Sequence, residues 1–290
     1  SKKIYIAINE KYLNLVKKLC PQIPEQNILV EPALRDTASC IGFGAALLSN
    51  DDPEEVMCCI SADHIIQNKE EFQRKLQLAE EIAQSEETLN IVEVEAETPD
   101  TNYGYVKIGP ETSPSVHKLD SFKEKPDLKT AKKFLADGNY LWNTGIYVWK
   151  ISTLLDAYET HAPETYEKLM KMAEDPSTIK DIYPTLEKIS IDYAIMEKVG
   201  PENIRIIKAQ NLGWSDIGNW QAVHSELAEK PEDNITRGDV SQKDCTGCLI
   251  YADNNKPIKT IGLQDIIVVD TPKGLIISKK DQSKNIKDLL

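Results

Sequence analysis

Short apolar runs alternate with amphipathic stretches along the first four-fifths of the chain. Runs rich in Ile, Val and Leu predict strands, and apolar residues that recur every three or four positions predict helices. The strands predicted in this way cover residues 4–8, 28–30, 56–60, 88–94, 105–108, 116–122 and 141–149. The predicted helices cover residues 10–20, 37–48, 72–83, 128–135, 151–161, 163–172, 191–199 and 219–229.

This order predicts an α/β fold, with a Rossmann-like, mostly parallel mixed sheet flanked by helices. The pattern changes after a polar segment at 231–234 that is typical of a linker. From there on, short β runs are separated by turn residues, which predicts a small β-rich domain. We therefore expect an α/β domain over residues 1–232 and a β-rich C-terminal domain over residues 233–290.

Composition and charge exclude several classes of function. Hydrophobic residues make up 41% of the 290 residues and charged residues 28%, which is typical of a globular protein with a substantial core. The net charge of −13 disfavours nucleic acid and anionic membrane as partners. No apolar run is long enough to span a bilayer, and the N-terminus lacks the apolar stretch of a secretory signal. Six cysteines without a disulfide or zinc pattern favour a reducing cytoplasm.

Two aspartates are candidate metal ligands. Asp63 directly follows a predicted buried strand, where the ligands of open α/β sheets bind, but a turn or cap role fits that position equally well. Asp216 lies in an unusual loop with two glycines and two tryptophans, and a turn in which Asp216 or Asn219 caps the next helix is the simpler interpretation. Because Mg²⁺ on a polyphosphate commonly takes one or two carboxylates, the pair together suggests a Mg²⁺ site.

Polar residues at three further strand ends have the chemistry to hold a sugar phosphate. Glu124 would accept hydrogen bonds from sugar hydroxyls, and Lys125 would meet a phosphate, although such a charge run is usually a solvated surface. Asn143 carries both a donor and an acceptor, yet a turn at a strand edge is its commoner role. Gly104 would allow a ligand to approach the backbone closely.

A nucleotide site is indicated between a strand and a helix rich in small residues. Thr37 is placed to cap the N-terminus of that helix, and helix N-termini attract anions. Arg35 adds a positive charge. Glu31 could accept two adjacent donors, as guanine presents with its N1–H and exocyclic amine.

These clusters, taken in order, resemble the mannose-1-phosphate guanylyltransferases. Two of the matching motifs are specific to that family, SIDYAIMEK and GWSDIGNW, whereas YGY and EKP are shared with other sugar nucleotidyltransferases. The matches cover nearly the whole chain. They are EPALRDTA at 31–38, SADH at 61–64, YGY at 103–105, FKEKPD at 122–127, WNTGIYVW at 142–149, SIDYAIMEK at 190–198 and LGWSDIGNW at 212–220.

The resemblance implies a nucleotide-diphospho-sugar transferase fold and the conversion of GTP and mannose 1-phosphate to GDP-mannose and pyrophosphate. It implies catalytic roles for Asp63, Asp216 and Lys125, with Mg²⁺ held by the two aspartates and Lys125 at the sugar phosphate. The substrate-binding residues that it implies are Glu31 and Arg35 by the guanine, Gly104, Glu124, Asn143 and Asp192 by the mannose, and Thr37 and Tyr103 elsewhere in the substrate site.

One feature of the family has no counterpart in this sequence: the Gly-rich loop with its Arg and Lys that wraps the triphosphate. We therefore expect either an N-terminally truncated form, whose activity is then open, or a loop supplied by another chain. Two alternatives stay open. One is an enzyme for another nucleotide or sugar 1-phosphate, and the other is a non-catalytic binder of sugar phosphate or nucleotide. Whether the chain forms a homodimer is also left open.

Overall fold

The computed structural model describes residues 3–253 and 256–289, which fall into two units. The first unit combines residues 1–61 with 68–212, and the second combines residues 62–67 with 213–290. None of the helices in the described ranges has both the length and the apolar character needed to cross a membrane.

Sixteen strands and eight α-helices form within the described ranges. The strands are β1 (Ile6–Asn9), β2 (Ile28–Glu31), β3 (Val56–Cys59), β4 (His64–Ile66), β5 (Leu89–Glu95), β6 (Tyr105–Ser113), β7 (Val116–Lys123), β8 (Tyr140–Lys150), β9 (Ile204–Ala209), β10 (Trp214–Asp216), β11 (Ile235–Arg237), β12 (Val240–Lys243), β13 (Leu249–Ala252), β14 (Ile258–Ile261), β15 (Ile266–Thr271) and β16 (Gly274–Lys279). The α-helices are α1 (Leu13–Leu19), α2 (Asp36–Leu48), α3 (Lys69–Ser85), α4 (Leu128–Asp137), α5 (Ile151–His161), α6 (Pro163–Glu174), α7 (Ile179–Ile182) and α8 (Trp220–Leu227).

The main sheet of the first unit has six strands in the order β3-β8-β5-β9-β7-β6. Its pairing corrects the expectation of a mostly parallel sheet, because only β5 and β9 run parallel and the other pairs are antiparallel. One reason is local: β6 and β7 are joined by two residues, and so short a connection permits only antiparallel pairing. The other parallel pair of this unit, β1 and β2, forms a separate small sheet.

Alternation along β5 directs side chains to the two faces of this sheet. Asn90 faces α3 and donates a hydrogen bond from Nδ2 to the Ala79 carbonyl at 3.3 Å. Leu89 and Ile91 face the other way, into the large core that also contains Phe43 of α2. Glu93 continues the series of Leu89 and Ile91, so this face of β5 ends in a buried carboxyl group.

Two predicted helices differ in detail from the observed segments. The predicted helix at 191–199 is instead a π-helical turn, Asp192–Met196, in which the amide of Glu197 bonds to the carbonyl of Asp192 at 2.8 Å. The helix predicted from residue 37 begins at Asp36, whose φ of 67° is left-handed. Thr37 is therefore inside the helix, which corrects its predicted role as the N-cap.

The second unit confirms the predicted β-rich character of the C-terminal segment. Strands β11, β13 and β15 pair in parallel and in register, so that Ile235, Leu249 and Ile267 stack on one another. Strand β16 adds an antiparallel edge, and β12 pairs in parallel with β14. The antiparallel pair of β4 and β10 also belongs to this unit and carries the two candidate metal ligands at its ends.

Candidate active site

A bulge in β8 presents Asn143 to the candidate site of the first unit. Three residues of β8 lie between Trp142 and Ile146, whereas only Glu93 lies between their partners on β5. Gly145 has a φ of +70°, a left-handed conformation that glycine adopts without strain. The Asn143 amide oxygen accepts a hydrogen bond from the Gly145 backbone N–H at 3.0 Å, so the bulge fixes the direction of the Asn143 side chain.

Asp192 joins the side chains around this bulge. Its Oδ1 accepts a hydrogen bond from Asn143 Nδ2 at 2.9 Å and a second from the Tyr147 hydroxyl at 2.7 Å. Burial, with a further contribution from Asp192, raises the pKa of Tyr147 well above its ordinary value, so the phenol stays a donor. These contacts leave the other carboxylate oxygen of Asp192 as an acceptor for a ligand.

Thr37 holds the segment that delivers Asp192. The Thr37 hydroxyl accepts a hydrogen bond from the Ile191 N–H at 2.9 Å, and the Ile189 carbonyl accepts one from the Ala38 N–H at 3.2 Å. The start of α2 therefore anchors the chain just before the π-helical turn. This positioning contact is one that the sequence did not indicate.

Glu124 and Gly104 complete the group, which we call the polar cluster: Gly104, Glu124, Asn143, Tyr147 and Asp192. The Asn143 N–H bonds to the Gly104 carbonyl at 2.8 Å. A Cβ at Gly104 would collide with Glu124 Oε2 and lie 3.1 Å from Asn143 Cβ, so any other residue here would displace the Glu124 carboxylate. Glu124 Oε2 is buried and has no hydrogen-bond partner among the described residues.

Lys125 pairs with the other oxygen of Glu124, at a distance of 2.6 Å between Nζ and Oε1. Burial raises the pKa of Glu124, Lys125 opposes that shift, and the nearby Asp192 adds to it. The hydrogen bond to Glu124 is the largest cause of the raised pKa of Lys125, which keeps the ammonium charged. Glu124 thus combines one paired oxygen with one buried acceptor aimed at the polar cluster.

Tyr103 lies beside this group and contributes an aromatic contact. Its ring packs on Trp142 at a tilt, with 5.1 Å between the ring centroids. Because Trp142 directly precedes the bulge, the Tyr103 ring forms an apolar surface next to the bulge.

Glu31 and Arg35 are engaged by the segment at 183–184. Glu31 is buried and accepts a hydrogen bond from the Tyr183 hydroxyl. Burial, with Glu31 as the second cause, raises the pKa of the neighbouring Cys40 to about 12, so this thiol is unreactive. Arg35 donates to the Pro184 carbonyl, and its Nε is buried without a partner among the described residues.

The second unit brings Asp63 and Asp216 together, and we call them the acidic pair. Asp216 lies opposite His64 in the antiparallel pairing of β4 and β10, and the Ile217 N–H bonds to the Asp63 carbonyl at 3.1 Å. Burial lowers the pKa of His64, and the charges of Asp63 and Asp216 oppose that shift. Both carboxylates are therefore close to one imidazole ring.

The capping role considered for this loop belongs to Asn219. Its side chain accepts a hydrogen bond from the Ala222 N–H at 3.0 Å at the start of α8. Asp216 is thus not needed as the cap of this helix. Within residues 3–253 and 256–289, no group of three or more His, Cys, Asp or Glu side chains could hold a metal ion by itself.

Sequence reasoning missed Glu93 and Tyr147. Glu93 is the one charged residue of the predicted strand at 88–94, which was a usable signal of a buried functional group. Tyr147 belongs to an aromatic strand in which any ring could have been core, and only the position of Asp192 identifies its hydroxyl as part of the site.

Comparison with known proteins identifies the family. Residues 1–232 match the family described as nucleotidyl transferase. The chain belongs to the nucleotidyl transferase family. Residues 238–290 of this nucleotidyl transferase match a domain described as MannoseP isomerase/GMP-like beta-helix.

Curated relatives of this nucleotidyl transferase share about three residues in ten with it. The alginate biosynthesis protein AlgA of Pseudomonas aeruginosa is 31% identical over 92% of this chain and 56% of its own length. The mannose-1-phosphate guanylyltransferase RfbM of Salmonella typhimurium is 28% identical over 98% of this chain and 61% of its own length. The chain thus spans less than two thirds of these relatives.

A solved structure extends the likeness to three dimensions. The crystal structure of mannose-1-phosphate geranyltransferase from Thermus thermophilus superposes with a TM-score of 0.87 at 25% identity. The match covers 99% of this chain and 83% of that one. The predicted α/β transferase fold with a β-rich C-terminal segment is confirmed.

Proposed function

We propose that this nucleotidyl transferase transfers the guanylyl group of GTP to mannose 1-phosphate, giving GDP-mannose and pyrophosphate. The observation that carries the proposal is the polar cluster, which offers directed acceptors and an amide around a glycine that admits close approach. Such an arrangement suits the neighbouring hydroxyls of a hexose. The guanylyltransferase name of a relative supports the choice of nucleotide and sugar.

In the proposed reaction, a phosphate oxygen of mannose 1-phosphate attacks the α-phosphorus of GTP, and pyrophosphate leaves from the opposite side. The chain needs no nucleophile of its own, because orientation and charge neutralisation account for most of such a transfer. Asn143, Asp192 and the buried Oε2 of Glu124 would orient the hexose through its hydroxyls. Lys125 would bind the sugar phosphate through its charged ammonium group.

The acidic pair fits the requirements of a Mg²⁺ site. Mg²⁺ bound to a nucleotide commonly uses one or two carboxylates, with phosphate and water as its other ligands. Asp63 is exposed and Asp216 half-buried, and within the described residues neither His64 nor another side chain completes a three-ligand metal site with them. We propose that Asp63 and Asp216 would hold Mg²⁺, which when bound would neutralise negative charge on the phosphates.

Glu31 and Arg35 complete the proposal at the nucleotide base. A bidentate guanine contact by Glu31 would share Oε1 with the Tyr183 hydroxyl, and a carboxylate oxygen can accept both donors. Thr37 would act through Asp192 rather than by touching the substrate, whereas Tyr103 would supply an apolar contact. We also propose a cytoplasmic location, which suits six free cysteines, and leave a homodimer as a further proposal.

Pyrophosphate release by the purified chain with Mg²⁺, GTP and mannose 1-phosphate tests this proposal. We expect release with this pair of substrates and at least about tenfold less with ATP, UTP or glucose 1-phosphate. Faster release with another pair would support the alternative nucleotidyltransferase. Binding of GTP and mannose 1-phosphate without release would support the non-catalytic binder, and both results would contradict the proposed reaction.

A further inference from the structure

The bulge in β8 is held by a buried acid on the neighbouring strand. Glu93 of β5 has no solvent exposure, and its Oε2 accepts a hydrogen bond from the Thr144 N–H at 2.8 Å. That N–H would otherwise lack a partner, because the two extra residues of the bulge interrupt the backbone pairing. The Glu93 side chain therefore accepts the hydrogen bond that a backbone carbonyl of β5 would accept from Thr144 in a regular strand pair.

The same bulge residue is tied down a second time. The Thr144 hydroxyl donates to the Val92 carbonyl at 2.5 Å and accepts from the Ile146 N–H at 3.1 Å. The Thr144 N–H and hydroxyl therefore both bond to β5, and the hydroxyl also accepts from Ile146 of β8. The flanking residue Gly145 then holds the amide oxygen of Asn143, which leaves Asn143 Nδ2 facing Asp192.

A continuous chain of contacts accordingly runs from Glu93 through Thr144 and Gly145 to Asn143 and Asp192. We propose that Glu93 is a positioning residue, which holds the Thr144 bulge and thereby sets the Asn143 amide in the sugar-phosphate site. The identity of the ligand rests on the proposed function, whereas the control of the Asn143 side chain does not.

The electrostatic surroundings explain how an acid can occupy this position. Burial raises the pKa of Glu93 well above its ordinary value, and the charges of Asp192 and Glu124 add to that effect. The neutral acid avoids repulsion of these two carboxylates while its Oε2 still accepts from Thr144. Glutamine is close in shape and hydrogen bonding to a neutral glutamic acid, so Glu93→Gln should preserve the bulge.

Three variants of the full chain separate positioning from general stability. Glu93→Met keeps the approximate volume but removes the acceptor, and Glu93→Asp keeps the acid but shortens its reach. Glu93→Gln is the conservative rescue. Glu95→Met is the matched control, since Glu95 is exposed at the end of the same strand and pairs with Lys208 on the surface.

Two measurements are made on each variant: amide hydrogen exchange at Thr144 and Gly145 by NMR, and the affinity for mannose 1-phosphate and for Mg²⁺–GTP by calorimetry. In Glu93→Met and Glu93→Asp we expect the two amides to exchange about tenfold faster or more, with exchange elsewhere in β5 and β8 unchanged. The affinity for mannose 1-phosphate should fall about tenfold, with GTP unaffected. Glu93→Gln and Glu95→Met should match the wild type.

Unchanged amide exchange in Glu93→Met and Glu93→Asp would overturn the positioning role. If neither variant folds, Glu93→Gln still decides, because fast exchange at Thr144 in that variant would contradict a role based on the acceptor oxygen. A wild-type chain that binds no mannose 1-phosphate would contradict the proposed function instead. In that case, the exchange rates would still decide whether Glu93 controls the bulge.

Discussion

The polar cluster and the acidic pair differ in how their polar groups are bonded and how far they are exposed to water. In the polar cluster, Asn143, Tyr147 and Asp192 are linked by short hydrogen bonds, with Tyr147 buried and the other two half-buried. In the acidic pair, Asp63 is exposed. The helix that follows Asp216 is capped by Asn219, not by Asp216. The first arrangement is held together by its own hydrogen bonds and leaves acceptors such as Glu124 Oε2 for a ligand, whereas the second concentrates negative charge that a cation would neutralise.

Because of this difference, substitutions in the two regions should affect ligand binding and protein stability differently. A residue of the polar cluster supports both the fold and the site, so its replacement should cost stability as well as binding. The residues of the acidic pair are exposed or half-buried, so replacing one carboxylate by the isosteric amide should remove activity with only a small change in stability.

Asp216→Asn should reduce turnover about 100-fold or more, because an amide cannot replace a charged carboxylate in holding a cation beside phosphates. The free energy of unfolding should stay within about 1 kcal/mol of wild type. Steady-state pyrophosphate release and urea unfolding measure the two quantities. Asp239→Asn, an exposed aspartate of the same unit, is the control and should be neutral. Wild-type turnover in Asp216→Asn would remove this residue from the metal site.

Asn143→Asp should raise the KM for mannose 1-phosphate about tenfold or more, because it removes the donor to Asp192 and sets two carboxylates against each other. Steady-state kinetics with each substrate varied in turn should show little change in the KM for GTP. Asn139→Asp is a matched control, since the exposed Asn139 makes the same type of hydrogen bond to Asp137 at 2.8 Å. An equal effect of both substitutions would contradict a specific role for Asn143.

Tyr147→Phe should cost about 1–3 kcal/mol of stability, the range for a buried hydrogen bond to a charged acceptor. The KM for mannose 1-phosphate should rise several-fold, because Asp192 keeps its bond from Asn143 and moves only slightly. Urea unfolding and kinetics measure both effects. Tyr140→Phe on the same strand is the control, since Tyr140 packs through its ring, which stacks on Phe134 with 3.9 Å between the centroids. Loss of activity without loss of stability would contradict the contrast.

Glu93→Gln should become more stable relative to wild type as the pH rises. The folded-state pKa of Glu93 is raised, so below the unfolded value of roughly 4.3 both states are protonated and wild-type stability is complete. Above that value, unfolding releases the proton, and wild-type stability falls until the folded-state pKa is passed. Urea unfolding of both proteins at about pH 4 and about pH 8 measures the difference. A difference that is independent of pH would show that Glu93 ionises normally.

The local sequence pattern predicted many of the strands and helices but not which strands pair with one another. The strands at 88–94 and 141–149 and the helices at 151–161 and 163–172 were predicted close to their observed positions. Strand β9 was missed, although its insertion between β5 and β7 decides the order of the sheet. Sheet order depends on contacts between distant segments, which hydrophobic periodicity does not contain.

The candidate site shows the same limit. Residue chemistry drew attention to Glu124 and Asn143, and the family resemblance added Asp192; the structure brings Glu124 and Asn143 together at Gly104 and bonds Asn143 to Asp192. The positioning contact of Thr37 with Ile191 and the bond from Tyr183 to Glu31 join residues about 150 positions apart, which no local pattern indicates. Their discovery required the tertiary structure.

A crystal structure of the chain with GDP-mannose tests the central claim most directly. We predict the hexose beside Gly104, with its hydroxyls within about 3.2 Å of Asn143, Asp192 and the Oε2 of Glu124. A hexose bound away from the polar cluster, or a cluster that stays empty at saturating GDP-mannose, would contradict the account.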